Sequence, residues 1–197
     1  MKLLIASNNK GKLKEIREIL GGFYDQIVTP AELGLALEVE ETGQTFLDNA
    51  RLKAHAFARA AGMDALADDS GLCVDALNGA PGVYSARYAG EHGDDAANNA
   101  LLLKNMEQVA DGQRGARFVC CVVLASPDGT ELCAEGDSKG EILRAPQGTG
   151  GFGYDPLFYV PRFERTYAEL TAEEKNGISH RAQALARLKR KWETLHG

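Results

Sequence analysis

The segment from Lys2 to Leu20 constrains the fold most. Lys2 to Ala6 is a short apolar run with strand character, and it passes through the polar loop Ser7-Asn8-Asn9-Lys10-Gly11 into a helical pattern with Leu13, Ile16, Ile19 and Leu20 on one side. A strand followed at once by an amphipathic helix is the unit from which layered α/β folds are assembled. Gly21-Gly22 ends that helix, and a second strand is predicted over Gln26 to Thr29. Thr45-Phe46 then opens a helix whose apolar face runs Phe46, Ala50, Ala54, Phe57 and Ala61, closed by Gly62.

Further along, Ala65 to Ala67 reads as a short buried strand ending in Asp68-Asp69-Ser70-Gly71, with Leu72 to Leu77 resuming as a strand-like stretch. Asn78-Gly79-Ala80-Pro81-Gly82 marks a loop, and a helix is expected from about Asp94 to Val109. Arg117 to Ala125 and Glu131 to Glu135 flank the turn Pro127-Asp128-Gly129 and should pair antiparallel. A glycine-dense loop, Gly148 to Asp155, leads into a strand at Leu157 to Val160. The chain ends in a helix with Ala182, Leu185, Leu188, Trp192 and Leu195 on one face. The expected architecture is α/β: a long, twisted, mixed sheet flanked by helices. With 197 residues and neither a repeat nor a linker, one domain spanning 1–197 is expected.

Composition removes several function classes. A net charge of −6 argues against a general nucleic-acid binder, which needs a basic face to neutralise phosphates. The opening MKLLIASNN is too short an apolar run for a signal peptide or a spanning helix, so a cytoplasmic protein with no membrane partner is expected. Cys73, Cys120, Cys121 and Cys133 show no C-x-x-C spacing, and neighbours Cys120 and Cys121 would point to opposite faces of a strand. They read as buried thiols.

Four constellations carry chemistry. Ser7 to Lys12 joins a strand to a helix N-terminus, where backbone N–H groups and two lysines offer a phosphate seat; a solvated helix cap fits the same residues, and the P-loop spacing is absent. Glu38 to Glu41 and Asp68-Asp69 are acidic segments whose carboxylates suit Mg²⁺, a hard cation with oxygen ligands. Glu38 and Glu40 read as solvated loop residues, whereas Asp68-Asp69 ends a buried strand, where ligand sites gather in α/β sheets. In Gly148 to Asp155, glycines permit close backbone approach, Phe152 or Tyr154 could stack on a base, and Asp155 could accept a hydrogen bond from it. Lys175 with Ser179-His180-Arg181 adds donors at the start of the last helix. Lys189-Arg190-Lys191 reads as a solvated helix face.

Taken in order, Ser7-x-Asn9-x-x-Lys12, Glu41-Thr42-Gly43, Asp68-Asp69-Ser70-Gly71-Leu72 with Gly79-x-Pro81-Gly82-x-Tyr84-Ser85-x-Arg87, Gly150 to Pro156, and Ser179-His180-Arg181 closely resemble the Ham1/RdgB family of inosine/xanthosine triphosphate pyrophosphatases. The resemblance spans nearly the whole chain. It implies two lobes with a central active-site cleft, a homodimer, Mg²⁺ as cofactor, and a purine nucleoside triphosphate as substrate. It further implies that Glu41 and Asp69 organise the metal and that Asp69 acts as base. The implied substrate-binding set is Ser7, Asn8, Asn9, Lys10, Gly11, Lys12, Lys53, Ser70, Phe152, Gly153, Tyr154, Asp155, Lys175, His180 and Arg181. Arg181 carries only donors and His180 can donate, so a 6-oxo purine would be satisfied there where a 6-amino purine would not. A Maf-like pyrophosphatase of pyrimidine or modified nucleotides and a nucleotide sensor without turnover are the competing readings.

Overall fold

A computed structural model describes residues 2–196. The elements are β1 (Lys2–Ile5), α1 (Lys10–Leu20), β2 (Gln26–Val28), α2 (Phe46–Ala61), β3 (Ala65–Val74), α3 (Asp95–Asn105), β4 (Gly115–Ala125), β5 (Glu131–Ile142), β6 (Phe158–Val160), β7 (Arg165–Thr166), α4 (Ala172–Ile178) and α5 (His180–His196). Among the described residues the strands form a seven-stranded sheet in the order β2-β1-β3-β4-β5-β6-β7. The sheet is mixed: β1 lies parallel to β2 and β3, whereas β6 is antiparallel to β5 and β7. The chain divides into two compact units, one taking in residues to Asp69, Cys120–Gly136 and the chain from His180, the other Ser70–Val119 and Asp137–Ser179.

In the first unit, strand alternation sorts side chains onto two helix-covered faces. Leu3, Ile5, Leu66, Cys120, Val122 and Leu124 pack with Ile16 and Leu20 of α1 and with Ala184, Leu185 and Leu188 of α5. Leu4, Ala65, Ala67, Val123 and Ala125 pack instead with Ala50, Ala54, Phe57 and Ala58 of α2. The first helix starts at Lys10, inside the expected loop to Gly11, and both α1 and α2 follow a side-chain cap. Asn9 accepts from Lys12 N at α1, and Thr45 accepts from Asp48 N at α2, whose end is marked by a left-handed Gly62. In the second unit, Leu72, Val74, Phe118, Ile142, Tyr154, Phe158 and Tyr167 form a separate core with Leu102 and Met106 of α3. There the Phe118 and Tyr167 rings stack at 5.7 Å.

Three predicted boundaries are corrected. Asp68-Asp69-Ser70-Gly71 does not end a strand but lies inside the ten-residue β3, because cations from distant helices compensate two carboxylates that local propensity reads as a turn. β5 runs past Glu135 to Ile142, through Gly136 and Gly140. A Cβ on Gly136 would run into the His180 carbonyl and the Ala184 amide of α5, and one on Gly140 into the Tyr159 carbonyl, so these glycines mark close approach rather than a strand end. The α3 helix stops at Asn105, where the Met106 N–H caps the carbonyls of Leu102 to Lys104, and Val109 lies beyond it. On the last helix Leu195 is 65% exposed and leaves the apolar face, while Cys73, Cys120, Cys121 and Cys133 are all free thiols.

Glycine geometry yields a stability test. Gly136→Ala should destabilise the protein by about 1–3 kcal/mol through the forced shift of α5. Gly177→Ala at an exposed position of α4, where nothing lies within 4 Å of an added Cβ, should stabilise it by about 0.5–1 kcal/mol. The midpoints of urea unfolding of the two variants decide both signs.

Candidate active site

Two neighbouring carboxylates organise the first unit's site. Because successive strand residues face opposite ways, Asp68 joins Leu66 on the face covered by α1 and α5, and Asp69 joins Ala65 and Ala67 on the face covered by α2. Asp68 is 2% exposed, and its Oδ2 meets Lys12 Nζ at 3.0 Å and Arg181 Nη2 at 3.0 Å. The Arg181 Nη1 pairs in turn with Glu15 of α1. Burial pushes the Asp68 carboxyl up, but Lys12, Arg181 and Lys53 overcome that and hold it well below the usual carboxylate range.

Asp69 has different company. Its Oδ2 accepts from Asn49 Nδ2 at 3.1 Å, and its Oδ1 lies 3.9 Å from Lys53 Nζ, which also pairs with Glu41 Oε1 at 2.9 Å. Burial lifts the Asp69 carboxyl above its ordinary value; Glu41 adds to the rise, while Lys53, Lys12 and the Asn49 bond oppose it. Burial also acts against the Lys53 ammonium, yet Asp69, Asp68 and Glu41 outweigh it and raise its pKa. Asn49, 1% exposed, is the hinge of the arrangement, since its Oδ1 accepts from Gly43 N at 2.8 Å while its amide holds Asp69. A Cβ on Gly43 would lie 2.6 Å from Asn49 Oδ1, so the Glu41-Thr42-Gly43 turn comes this close only with glycine.

At the start of α1, Asn9 Oδ1 caps Lys12 N at 3.1 Å and Ser7 Oγ accepts from Asn9 N at 3.2 Å. Asn8 and Lys10 are exposed, and the amides of Lys10 and Gly11 belong to the first helical turn, where no earlier carbonyl of the helix can accept from them. Glu38 and Glu40 are exposed, as expected of solvated loop residues.

The second unit gathers the glycine loop around Lys175 of α4. Lys175 Nζ donates to Asp155 Oδ2 at 2.6 Å and stands 4.9 Å from the Phe152 ring centroid and 5.4 Å from that of Tyr167. Phe152 N also donates to Asp155 Oδ2, at 3.0 Å. Ser70 follows Asp69 on β3, and His180, 5% exposed, is the first residue of α5.

Three residues of the expected site make bonds within the protein. Tyr154 does not offer its ring for stacking: it is 4% exposed in the core, and its hydroxyl donates to the Ser85 carbonyl at 2.8 Å. Asp155, 3% exposed, accepts from Lys175 and Phe152 and so braces the loop. Arg181 is 1% exposed, and its guanidinium pairs with Asp68 and Glu15. Glu15 and Asn49 were not singled out from the sequence. The only available signal was a polar residue on the buried side of an amphipathic helix.

The Ham1 family model matches residues 3–191. The chain belongs to the Ham1 family. Among its relatives are a dITP/XTP pyrophosphatase of Streptomyces coelicolor, 54% identical over 189 residues and covering 95% of this chain and 94% of that protein, and one of Desulforamulus reducens, 57% identical over 185 residues and covering 94% and 92%. The Ham1 protein of Staphylococcus aureus superposes with a TM-score of 0.87 at 44% identity, covering 98% of this chain and 99% of that one. A nucleoside-triphosphatase, dITP/XTP pyrophosphatase from Mycobacterium abscessus, gives a TM-score of 0.77 at 49% identity, covering 95% and 98%. The chain thus has the α/β fold of Ham1 proteins.

The charge network of Asp68 sets a further expectation. Arg181→Met keeps much of the side-chain volume but leaves Asp68 and Glu15 without their shared guanidinium, and loss of one partner of a buried pair costs about 3–5 kcal/mol. Guanidinium unfolding at neutral pH should show that loss, and a midpoint equal to the parent's would remove Arg181 from the structural role assigned to it.

Proposed function

We propose that the chain hydrolyses the triphosphates of inosine, deoxyinosine and xanthosine to the monophosphate and pyrophosphate, with Mg²⁺ as cofactor. The proposal includes one pyrophosphatase domain over 1–197, a homodimer, a cytoplasmic location, and no nucleic-acid or membrane partner. Among the described residues no helix is long and apolar enough to cross a membrane. The observation that carries the reading is the convergence of Glu41 and Asp69 on Lys53 beside the separately neutralised Lys12–Asp68 pair. The relatives' activity supplies the substrate class. Family membership favours this reading over a Maf-like pyrophosphatase or a sensor without turnover.

The residues fit the cofactor. Among the described residues no three His, Cys, Asp or Glu side chains form a metal cage, but Mg²⁺ is usually held by one or two carboxylates together with substrate phosphates and water. Glu41 and Asp69 supply two oxygen donors already gathered around one positive charge, that of Lys53. Bound there, Mg²⁺ would supply positive charge to the phosphate oxygens and acidify water.

The chain's own groups do the rest. The first-turn amides of α1 and Lys12 are assigned to the phosphates, where aligned N–H groups and an ammonium favour anions. Asp69 takes the proton of the attacking water at a carboxyl oxygen. A solvated aspartate near 3.9 would be a feeble base at neutral pH, so the step relies on the acidified water as well as on Asp69. Asn49 fixes one Asp69 oxygen so that the other remains on the Lys53 side. Lys53 and Lys12 then offset charge developing on the oxygen that leaves with pyrophosphate. The base is assigned to the Phe152 ring and Lys175, a flat apolar ring with an ammonium over one of its faces.

Asp69→Asn preserves shape and the Asn49 contact but removes the charge and the proton acceptor. It should cut turnover by about 10²-fold or more with little change in melting temperature. Activity on inosine triphosphate should vanish in excess chelator and return with Mg²⁺, and phosphorus NMR should identify pyrophosphate as the first product. Near-parental turnover of Asp69→Asn, or orthophosphate released first, would overturn the assignment.

A further inference from the structure

Asp95 and Asn99 stand four residues apart on α3, so their side chains share one face of the helix. Both reach the same residue of the glycine loop. Gly153 N donates to Asp95 Oδ2 at 2.7 Å, and Asn99 Nδ2 donates to the Gly153 carbonyl at 2.9 Å and to the Asp95 carbonyl at 2.8 Å. All of these groups belong to the second unit. The Gly153 N–H lies in the peptide plane shared with Phe152, and its carbonyl lies in the plane shared with Tyr154. Together the two bonds therefore fix both planes of a residue at φ 61°, which has no side chain to restrict it. On the far side Tyr154 is tied to Ser85, and on the near side Phe152 N is tied to Asp155. The direction of the Phe152 ring thus depends on α3, an element outside every motif that carries the chemistry.

We propose that Asp95 and Asn99 are specificity-determining positioning residues, whose clamp on Gly153 holds the Phe152 ring against Lys175 in the orientation that a purine base stacks on. This inference rests on the assignment of Phe152 and Lys175 to the base. Asp95 also favours α3 directly, as an anion in its first turn, whereas Asn99 has no such effect; the two substitutions therefore separate helix stability from loop position.

The test is steady-state pyrophosphate release by the full chain with Mg²⁺, using inosine and adenosine triphosphates, with inorganic triphosphate as a base-free competitor. In the Asp95→Ala, Asn99→Ala double variant, KM for inosine triphosphate should rise roughly tenfold with kcat within about twofold, and the preference for inosine over adenosine should narrow several-fold. Inhibition by inorganic triphosphate should stay as in the parent, and Asp95→Asn, whose amide oxygen still accepts from Gly153 N, should behave like the parent. If the double variant fails to fold, Asn99→Ala alone and the contrast between Asp95→Asn and Asp95→Ala carry the same readouts. An unchanged KM and preference, or triphosphate inhibition weakened as much as substrate binding, would overturn the proposal. Phe152→Ala measured in parallel locates the failure. A preference unchanged by Phe152→Ala refutes the base assignment and this inference with it, whereas a preference narrowed by Phe152→Ala but not by the clamp variants refutes the clamp alone.

Discussion

Asp68 is an almost wholly buried carboxylate, and the seating of α1, β3 and α5 depends on how its charge is met. Burying a lone carboxylate is prohibitive, and a single ion pair in a low-dielectric interior barely offsets the desolvation of its two members. Here the charge is shared among four groups. Lys12 and Arg181 both reach Asp68 Oδ2, and Glu15 takes the other end of the guanidinium, so two positive and two negative charges close a neutral set. Lys12 and Glu15 sit three residues apart on α1, with Arg181 one residue into α5. The set therefore joins two helices to one strand position and holds the lysine assigned to phosphate at a fixed place. Replacement of the whole set by apolar groups could leave the fold stable, but it would remove that fixed ammonium.

Strand alternation then separates two carboxylates that share a peptide bond. Asp68, facing cations on α1 and α5, is held ionised far into the acid range; Asp69, facing α2 and a second carboxylate, is pushed the other way. The result is a division of electrostatic surroundings between two adjacent carboxyls. The division needs no sequence signal beyond two aspartates in a buried strand, because period two supplies the two environments. Asn49 extends the arrangement to the Glu41-Thr42-Gly43 turn, linking both proposed metal-holding residues through one buried amide.

The parts of the fold legible in the sequence were those specified locally. Thr45 opening α2, Gly62 closing it and the apolar faces of α1 and α2 all rest on interactions within a few residues. The misread parts depended on distant partners. Asp68-Asp69 looks like a turn until Lys12, Lys53 and Arg181 are supplied, and Gly136 looks like a strand end until α5 lies against it. The site shows the same split. The internal partners of Tyr154, Asp155 and Arg181 could not be read from the sequence, because a carboxylate or guanidinium serves a ligand or a neighbouring side chain with the same atoms.

That ambiguity has a physical consequence for glycine-rich recognition loops. Glycines at 148, 151 and 153 adopt positive φ, which lets the chain turn tightly but leaves the loop without intrinsic stiffness. Precision must then come from side chains that bond to the loop backbone, and those need not lie in the loop. Asp155 and Lys175 hold one end through a buried pair, while Asp95 and Asn99 hold the middle from α3. The loop's backbone is thus held partly by residues that no motif contains. A ring stacked on a base tolerates little tilt before its contact area falls, which is why the proposed clamp on Gly153 is placed in the selection of the base rather than in the chemistry.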